Sequence, residues 1–239
     1  MIAVGGLVSF TTIDYPGKLA AVLFLQGCPL RCPYCHNPGL QATDEAGAVS
    51  WEEAFGFLQK RKGLLDGVVF SGGEPLLQTH LKKAMEDVHA LGYDIALHTS
   101  GVFPERLKEV LPLVSWVGLD IKAPVEKYAT ASGTGAAFEM GRRAFESLDL
   151  LLAQETQGFS FEVRTTTDPR VVNKTDILKL AYFLKAKGVR TYALQEYRPA
   201  ENGLKEPSAQ EIMSFYTDSD FLAEMRTIFP DLIIRRANG

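Results

Sequence analysis

The cysteines of this chain all lie in one short stretch between Gly27 and Pro38. Cys28, Cys32 and Cys35 follow a C-x3-C-x2-C spacing, and prolines interspersed among them restrict the backbone. Three thiols so close together in a stiffened segment can turn toward one centre. The stretch therefore predicts a metal-binding loop.

The number of thiols indicates which metal the loop would hold. Cysteine thiolates are the usual ligands of iron-sulfur clusters, and a four-iron cube normally takes four of them. Three thiolates would leave one iron open to a small molecule that chelates through an amine and a carboxylate. The alternative is a zinc site completed by His36, but that residue directly follows Cys35 and is poorly placed to reach the same ion. A disulfide is a weaker alternative, because it would have to form within a tight turn.

The C-x3-C-x2-C spacing resembles the signature of the radical S-adenosylmethionine (SAM) enzymes. His36 and Asn37, directly after the third cysteine, resemble the activating enzymes that place a radical on a glycine of a partner protein. The segments 13–18 and 28–38 are most similar to the activating proteins of anaerobic ribonucleoside-triphosphate reductase.

This resemblance implies one four-iron four-sulfur (4Fe-4S) cluster and SAM as cofactors. It also implies an electron donor and reductive cleavage of SAM to a 5′-deoxyadenosyl radical, which takes a hydrogen atom from a glycine of the reductase. One alternative is a radical SAM enzyme that activates another glycyl-radical enzyme or modifies a small-molecule or nucleotide precursor. The alternative that is not an enzyme is a metal-binding adaptor protein.

Charge and hydropathy restrict the other possible partners. The net charge of −4 gives no long-range attraction for nucleic acid. The first positive charge is Lys18, so a basic secretory signal is not expected. The longest apolar run, Leu19 to Leu25, is far shorter than the ~20 residues of a membrane helix. We therefore expect a soluble, cytoplasmic protein that acts under anaerobic conditions and binds neither nucleic acid nor membrane.

Strand patterns recur along the chain after an irregular lead-in, residues 1–18, which ends in a turn at Pro16 and Gly17. The run from Leu19 to Leu25 is apolar on both faces, which is typical of a strand buried in a parallel sheet. Further strands are predicted at Gly67–Phe70, Asp94–Leu97, Trp116–Ile121, Ser160–Thr165 and Arg190–Gln195.

Helical patterns alternate with these strands. Helices are predicted from the capping box Ser50–Glu53, at Leu76–Leu91 before Gly92, at Pro104–Leu113, at Phe138–Gln154, from Thr175 to Gly188, and at Ser208–Ile228. The alternation predicts an α/β fold of six strand-helix units with parallel strands.

Periodicity fits a doubly wound sheet equally well, but the resemblance implies a partial (β/α)6 barrel that is open on one side. We expect a single domain over residues 1–239, whose tail, residues 230–239, adds an edge strand at Leu232–Ile234.

Paired glycines follow the second predicted strand. Gly72 and Gly73 would let the backbone approach a ligand, although such a pair is by itself usually a turn. Together with Glu74 they resemble the GGE motif of radical SAM enzymes, which implies a contact with the amino group of SAM. The same resemblance places the ring of Tyr34 near the adenine.

The end of the third predicted strand departs from the family pattern. Where activating enzymes often have Asp-Thr-Asn-Gly, this chain has His98, Thr99, Ser100 and Gly101. A ribose or cation contact made by the missing acid cannot be carried over to His98. Thr99 and Ser100 remain candidate SAM contacts.

Charged pairs occupy the next two predicted strands. Asp120 and Lys122 are two residues apart and so point to one face of their strand. A structural salt bridge is one interpretation, but the pair also resembles an Asp-x-Lys of the activating enzymes, whose lysine neutralises the SAM carboxylate. Glu162 and Arg164 repeat the spacing, and Arg164 is the better carboxylate ligand because a guanidinium can donate two hydrogen bonds.

Overall fold

A computed structural model describes residues 2–134, 137–154, 158–199 and 205–237, and these residues form one eight-stranded sheet. The strands are β1 (Val4–Thr11), β2 (Ala20–Leu25), β3 (Gly67–Gly72), β4 (Asp94–Thr99), β5 (Trp116–Asp120), β6 (Ser160–Thr167), β7 (Tyr192–Glu196) and β8 (Ile233–Arg235). The remaining residues, which include 238–239 of the predicted tail, lie outside the description.

The strands are hydrogen-bonded in chain order, β1 to β8. Strands β2 to β8 are parallel, and β1 pairs with β2 in the antiparallel direction. A doubly wound sheet requires a point where the strand order reverses, and this sheet has none within the described ranges. The α/β fold and its parallel sheet are thus confirmed, and the arrangement is consistent with a radical SAM partial barrel.

Both ends of the chain add to the sheet beyond the six expected units. The predicted edge strand in the tail is present as β8, next to β7. The prediction of an irregular lead-in is wrong, because residues 4–11 form β1. Paired glycines and a register shift between Val8 and Thr11 interrupt its alternation, so the sequence carried little strand signal there. The sheet of the described residues has eight strands, so the predicted count of six strand-helix units is not confirmed.

Eight helices are found in the described residues. They are α1 (Trp51–Lys60), α2 (Leu81–Ala90), α3 (Pro104–Val110), α4 (Tyr128–Ser132), α5 (Ala137–Leu152), α6 (Lys174–Ala186), α7 (Ala209–Thr217) and α8 (Ser219–Ile228). The capping boxes predicted at Ser50 and Ser208 are formed. Gly92 and Gly188 follow α2 and α6 with φ of +92° and +97°, as their predicted roles require. None of these helices is long and apolar enough to cross a membrane.

Three of the predicted helices differ from the structure. The helix expected over Pro104–Leu113 ends at Val110, and a 3-10 turn over Leu111–Leu113 follows it. The helix expected from Leu76 begins at Leu81, because Glu74 caps a separate 3-10 turn over Pro75–Leu77. The helix expected over residues 208–228 is two helices, since Asp218 has an extended ψ of 105° between them. The Asp218 side chain accepts a hydrogen bond from the Phe221 amide and so starts α8.

The two faces of the sheet bury different sets of residues. One face packs against the helices through residues such as Leu23, Phe70 and Val117. The other face carries a second, smaller cluster that includes Val22, Ala96 and Trp116. Because strand residues two apart share a face, this second face continues into polar residues near the carboxyl ends of the strands. That edge is where a site can form.

The cysteine loop leaves the end of β2 and is tied to neighbouring segments. The Gly27 amide donates to the Leu40 carbonyl at 2.8 Å, and the Arg31 amide donates to the Ser132 carbonyl at 2.7 Å. Gly133, which ends α4 with φ of +64°, lies so close to this loop that a Cβ atom would collide with the Arg31 carbonyl. The end of α4 therefore supports the loop by direct backbone contact.

Substitution of Gly133 tests this support. A Gly133→Ala chain must adopt a left-handed backbone at a cost of about 1–2 kcal/mol, and it must also relieve the collision at about 1–3 kcal/mol. Gly17→Ala is the matched control, because Gly17 has a similar φ of +73° and open space around it. We expect urea unfolding to show a larger loss for Gly133→Ala. Equal losses for the two variants would contradict the close approach.

Candidate active site

A cavity of about 360 Å³ opens at the carboxyl edge of the sheet. Its wall contains every residue predicted to bind a cofactor: Cys28, Cys32, Tyr34, Cys35, Gly72, Gly73, Glu74, Thr99, Ser100, Asp120, Lys122 and Arg164. These residues come from the cysteine loop and from the ends of β3 to β6. The fold thus brings together positions that are up to 136 residues apart.

A larger groove of about 640 Å³ lies between α5 and α6. Its floor is apolar, with Phe145 and Phe183 in edge-to-face contact at 5.3 Å, and its rim holds charges that include the pair Asp149 and Lys187. It contains no cysteine. The smaller cavity is therefore the better candidate site, because it combines the thiols with convergent charged groups.

The three cysteines are half-buried and form no disulfide. Burial raises the pKa of the Cys28 thiol to about 12, and burial also raises the pKa of Cys32. A bound metal would deprotonate such thiols. Among the described residues, no three His, Cys, Asp or Glu side chains converge on one metal ion. Three thiols that line one cavity suit an iron-sulfur cluster, whose usual ligands are cysteine thiolates.

Glu74 is buried in a network at the end of β3. One carboxylate oxygen accepts from the Thr99 hydroxyl at 2.7 Å and the Leu76 amide at 3.1 Å. The other accepts from the Ser100 hydroxyl at 2.5 Å and the Ser100 amide at 2.8 Å. Burial raises the pKa of Glu74, and these hydrogen bonds oppose the increase. The hydroxyls of Thr99 and Ser100 thus donate to Glu74.

Asp120 binds two cations on the wall of the cavity. Its carboxylate accepts from Arg164 Nε at 2.8 Å, and Lys122 Nζ lies 3.8 Å from the other carboxylate oxygen. Burial would raise the pKa of Asp120, but the two cations hold it below its usual value. The salt bridge considered for Asp120 and Lys122 exists, although Arg164 is the closer partner.

Lys122 also faces the aromatic ring of the cysteine loop. Its Nζ lies 5.7 Å from the centroid of the Tyr34 ring, a cation–π distance. Burial lowers the pKa of Lys122, but neighbouring groups, first among them Cys32, raise it well above its usual value. The Tyr34 hydroxyl is buried without a hydrogen-bond partner in the described part of the chain. A buried hydroxyl of this kind at a cavity wall suits a bound ligand.

His98 has a structural environment on the cavity floor. Its Nε2 lies 2.8 Å from the Asp14 carbonyl, and its ring meets Trp116 edge-on at 5.5 Å. Burial lowers its pKa to about 3, so the ring is neutral and Nε2 carries the proton donated to Asp14. His98 therefore holds the segment around Asp14, which also lines the cavity.

Several lining residues were not assigned by sequence reasoning. Arg235, on β8, approaches the buried Glu162 of β6, with 2.7 Å between Nη1 and Oε1. Nη1 and Oε1 form an ion pair without hydrogen-bond geometry. Arg235 Nη2 donates a hydrogen bond to Glu162 Oε2 at 3.0 Å. Glu196 and Arg198 line the same side. The contact between β6 and β8 depends on how the tail folds, so no local pattern indicated Arg235.

Comparison with known proteins agrees with this geometry. Residues 22–151 match the model of the radical SAM superfamily. This chain belongs to the radical SAM superfamily, and it is an enzyme of that type. Members of the superfamily use a 4Fe-4S cluster and SAM, and the donors that line the cavity suit both.

Two curated relatives indicate the group within the superfamily. A protein of Methanocaldococcus jannaschii, provisionally named a glycyl-radical enzyme activating enzyme, is 32% identical over 205 residues, which are 83% of this chain and 81% of the relative. A pyruvate formate-lyase-activating enzyme of Clostridium pasteurianum is 33% identical over 183 residues, which are 74% of each chain. The chain is thus homologous to glycyl-radical enzyme activating enzymes.

Solved structures share the fold at low sequence identity. Streptococcus suis SuiB bound to SAM aligns with a TM-score of 0.62 at 13% identity, over 88% of this chain and 48% of SuiB. QueE from Escherichia coli aligns with a TM-score of 0.56 at 16% identity, over 98% of this chain and 93% of QueE. Such likeness supports the architecture and says nothing about the substrate.

Replacement of Glu74 tests its hydrogen-bond network. In Glu74→Gln, an amide group would face donors that now bind a carboxylate oxygen, and a buried unsatisfied polar group costs about 1–3 kcal/mol. We expect urea unfolding of the metal-free protein to show a loss of that size. Glu109→Gln, an exposed change on α3, is the control. A loss no greater than that of the control would mean that the network does not stabilise the fold.

Proposed function

We propose that this protein activates an anaerobic ribonucleoside-triphosphate reductase by generating a glycyl radical on it. The observation that carries the proposal is the single cavity that combines three thiols with the charged side chains at the strand ends. When bound, the cluster and SAM together supply a 5′-deoxyadenosyl radical that can take a hydrogen atom from glycine. The residues of the chain bind, orient and shield these groups.

Cys28, Cys32 and Cys35 are the proposed cluster ligands. Their loop is held at both ends by backbone hydrogen bonds, so the thiols need little ordering when the metal binds. Gly72 and Gly73 give the backbone near the amino group of SAM its required shape. Both glycines pack directly against neighbouring backbone, where a Cβ atom would not fit.

The charges around Asp120 suit the SAM carboxylate. Lys122 and Arg164 bring two positive charges to the single negative charge of Asp120. One positive charge therefore remains for a ligand anion, and both cations keep N–H groups free of Asp120. Lys122 Nζ also lies 5.7 Å from the centroid of the Tyr34 ring, which supports neighbouring sites for the carboxylate and the adenine.

Glu74 stabilises the ends of two strands in addition to its proposed SAM contact. Because its carboxylate already accepts hydrogen bonds from Thr99 and Ser100, it joins the ends of β3 and β4. We propose that Thr99 and Ser100 contribute to SAM binding chiefly by holding the Glu74 carboxylate in position.

The choice of partner rests on the resemblance of segments 13–18 and 28–38 to reductase-activating proteins. Pyruvate formate-lyase, or a related glycyl-radical enzyme, is the second candidate, because a pyruvate formate-lyase-activating enzyme is 33% identical over 183 residues. Both candidates require the same chemistry at the cavity. They differ only in the protein that presents the glycine.

We further propose that the chain acts as one domain in the cytoplasm. A single sheet that includes strands from both ends of the described chain supports the first point. The half-buried free thiols support the second, because thiols persist in a reducing compartment.

Loss of the cavity cations should weaken SAM binding without loss of iron. We expect Lys122→Met to raise the Kd for SAM about 10- to 150-fold, the range for hydrogen bonds to charged groups. Calorimetric titration of the anaerobically reconstituted protein measures it. Lys127→Met is the control, because Lys127 pairs with Asp176 outside the cavity. Normal SAM affinity in both Lys122→Met and Arg164→Met would show that the network around Asp120 is purely structural.

The proposed activity predicts a radical on the partner. The reduced protein is mixed with SAM and a purified anaerobic ribonucleoside-triphosphate reductase, and electron paramagnetic resonance is recorded. We expect the doublet of a glycyl radical, and its loss when the target glycine is replaced by alanine. A parallel mixture with pyruvate formate-lyase tests the second candidate. A radical on the lyase alone would reject the reductase and keep the reaction class.

A further inference from the structure

Arg170 connects the cysteine loop to the end of β6, although it does not line the cavity. Its Nη2 donates to the Pro33 carbonyl at 3.1 Å, between Cys32 and Cys35. These two residues are 137 positions apart in sequence. The contact therefore brings a side chain from the far half of the chain to the middle of the cysteine loop.

The guanidinium of Arg170 is held in place by Asp168. Arg170 Nη2 and Nε donate to Asp168 at 2.7 Å and 3.0 Å, and the Asp168 side chain is fully buried. The same carboxylate accepts from the Arg170 backbone amide at 2.9 Å, which fixes the turn after β6. A two-pronged ion pair with a buried acid leaves the guanidinium little freedom.

The remaining contacts of Arg170 reach the segment after β7. Its Nη1 donates to the Lys205 carbonyl at 3.0 Å, and its guanidinium carbon lies 4.9 Å from the centroid of the buried Tyr197 ring. Tyr197 follows Gln195 and Glu196, which line the cavity. One planar group thus contacts three separate segments, and only the fork of an arginine has enough donors in that geometry.

We infer that Arg170 is a positioning residue that fixes the cysteine loop for its cluster, acting through the Pro33 carbonyl. The inference rests on the proposed role of the cysteines as ligands. Groups that orient metal ligands without touching the metal typically change affinity by about 10- to 100-fold when they are replaced. Arg170 has this relation to Cys32 and Cys35, because it holds the backbone between them.

Arg170→Lys is the decisive variant. It keeps a positive charge for Asp168, but a single ammonium cannot also reach the carbonyls of Pro33 and Lys205. We expect iron loss to a chelator about 10-fold faster than in the wild type. We also expect faster hydrogen exchange at the amides of Arg31–His36 in both the metal-free and the loaded protein. Exchange in α2 should not change.

Arg170→Met and Arg142→Met complete the experiment. Arg170→Met removes the guanidinium and all of its hydrogen bonds, so we expect iron loss and loop exchange at least as fast as in Arg170→Lys. Arg142→Met is the control, since Arg142 pairs with Glu139 and Glu146 on the surface of α5. It should match the wild type in iron loss and loop exchange.

Two results would overturn the inference. The first is an Arg170→Lys protein whose iron loss and loop exchange equal those of the wild type. Such a result would mean that Arg170 only forms a structural ion pair with Asp168, and it would not affect the proposed function. The second is a wild-type protein that binds no cluster through its cysteines, which would overturn the proposed function as well.

Discussion

Parallel strands that follow one another in chain order bring all their carboxyl ends to one edge of a sheet, and the candidate site depends on this constraint. The cysteine loop leaves β2 at that edge, the paired glycines lie at the end of β3, and the charged residues lie at the end of β5 and beside it on β6. In register, Asp120 lies beside Arg164, so their ion pair follows directly from strand pairing. The antiparallel β1 and the short β8 form the two edge strands of this sheet.

Several polar groups at this edge are shielded from solvent, and most of them have hydrogen-bond or ion-pair partners in the structure. The Glu74 carboxylate accepts hydrogen bonds at both oxygens, and Asp120 has two cationic partners. Desolvation of such groups would otherwise cost several kcal/mol each. Paired in this way they form a rigid polar wall, and rigidity is useful where a ligand must be held in one orientation. The Tyr34 hydroxyl differs, because it is buried without a hydrogen-bond partner among the described residues.

Local patterns were sufficient for the parts of the fold that are locally encoded. The strand at residues 19–25 shows apolar residues on both faces, and the capping boxes at Ser50 and Ser208 mark helix starts through contacts within four residues. The predictions from sequence were wrong where a distant or competing contact determined the secondary structure. Residues 4–11 form a strand because β2 offers them an edge, and Asp218 ends one helix by capping the next.

The sequence by itself determined the chemistry of this protein: three thiols at a fixed spacing, paired glycines after a strand, and charges two residues apart on strands. Those features depend on residue type and short spacing, which the chain displays directly. Only the tertiary structure decided which groups meet. The hydrogen bonds of Ser100 to Glu74, the pairing of Arg235 with Glu162, and the hold of Arg170 on Pro33 join residues between 26 and 137 positions apart. Such contacts arise from strand order and packing, which no local pattern encodes.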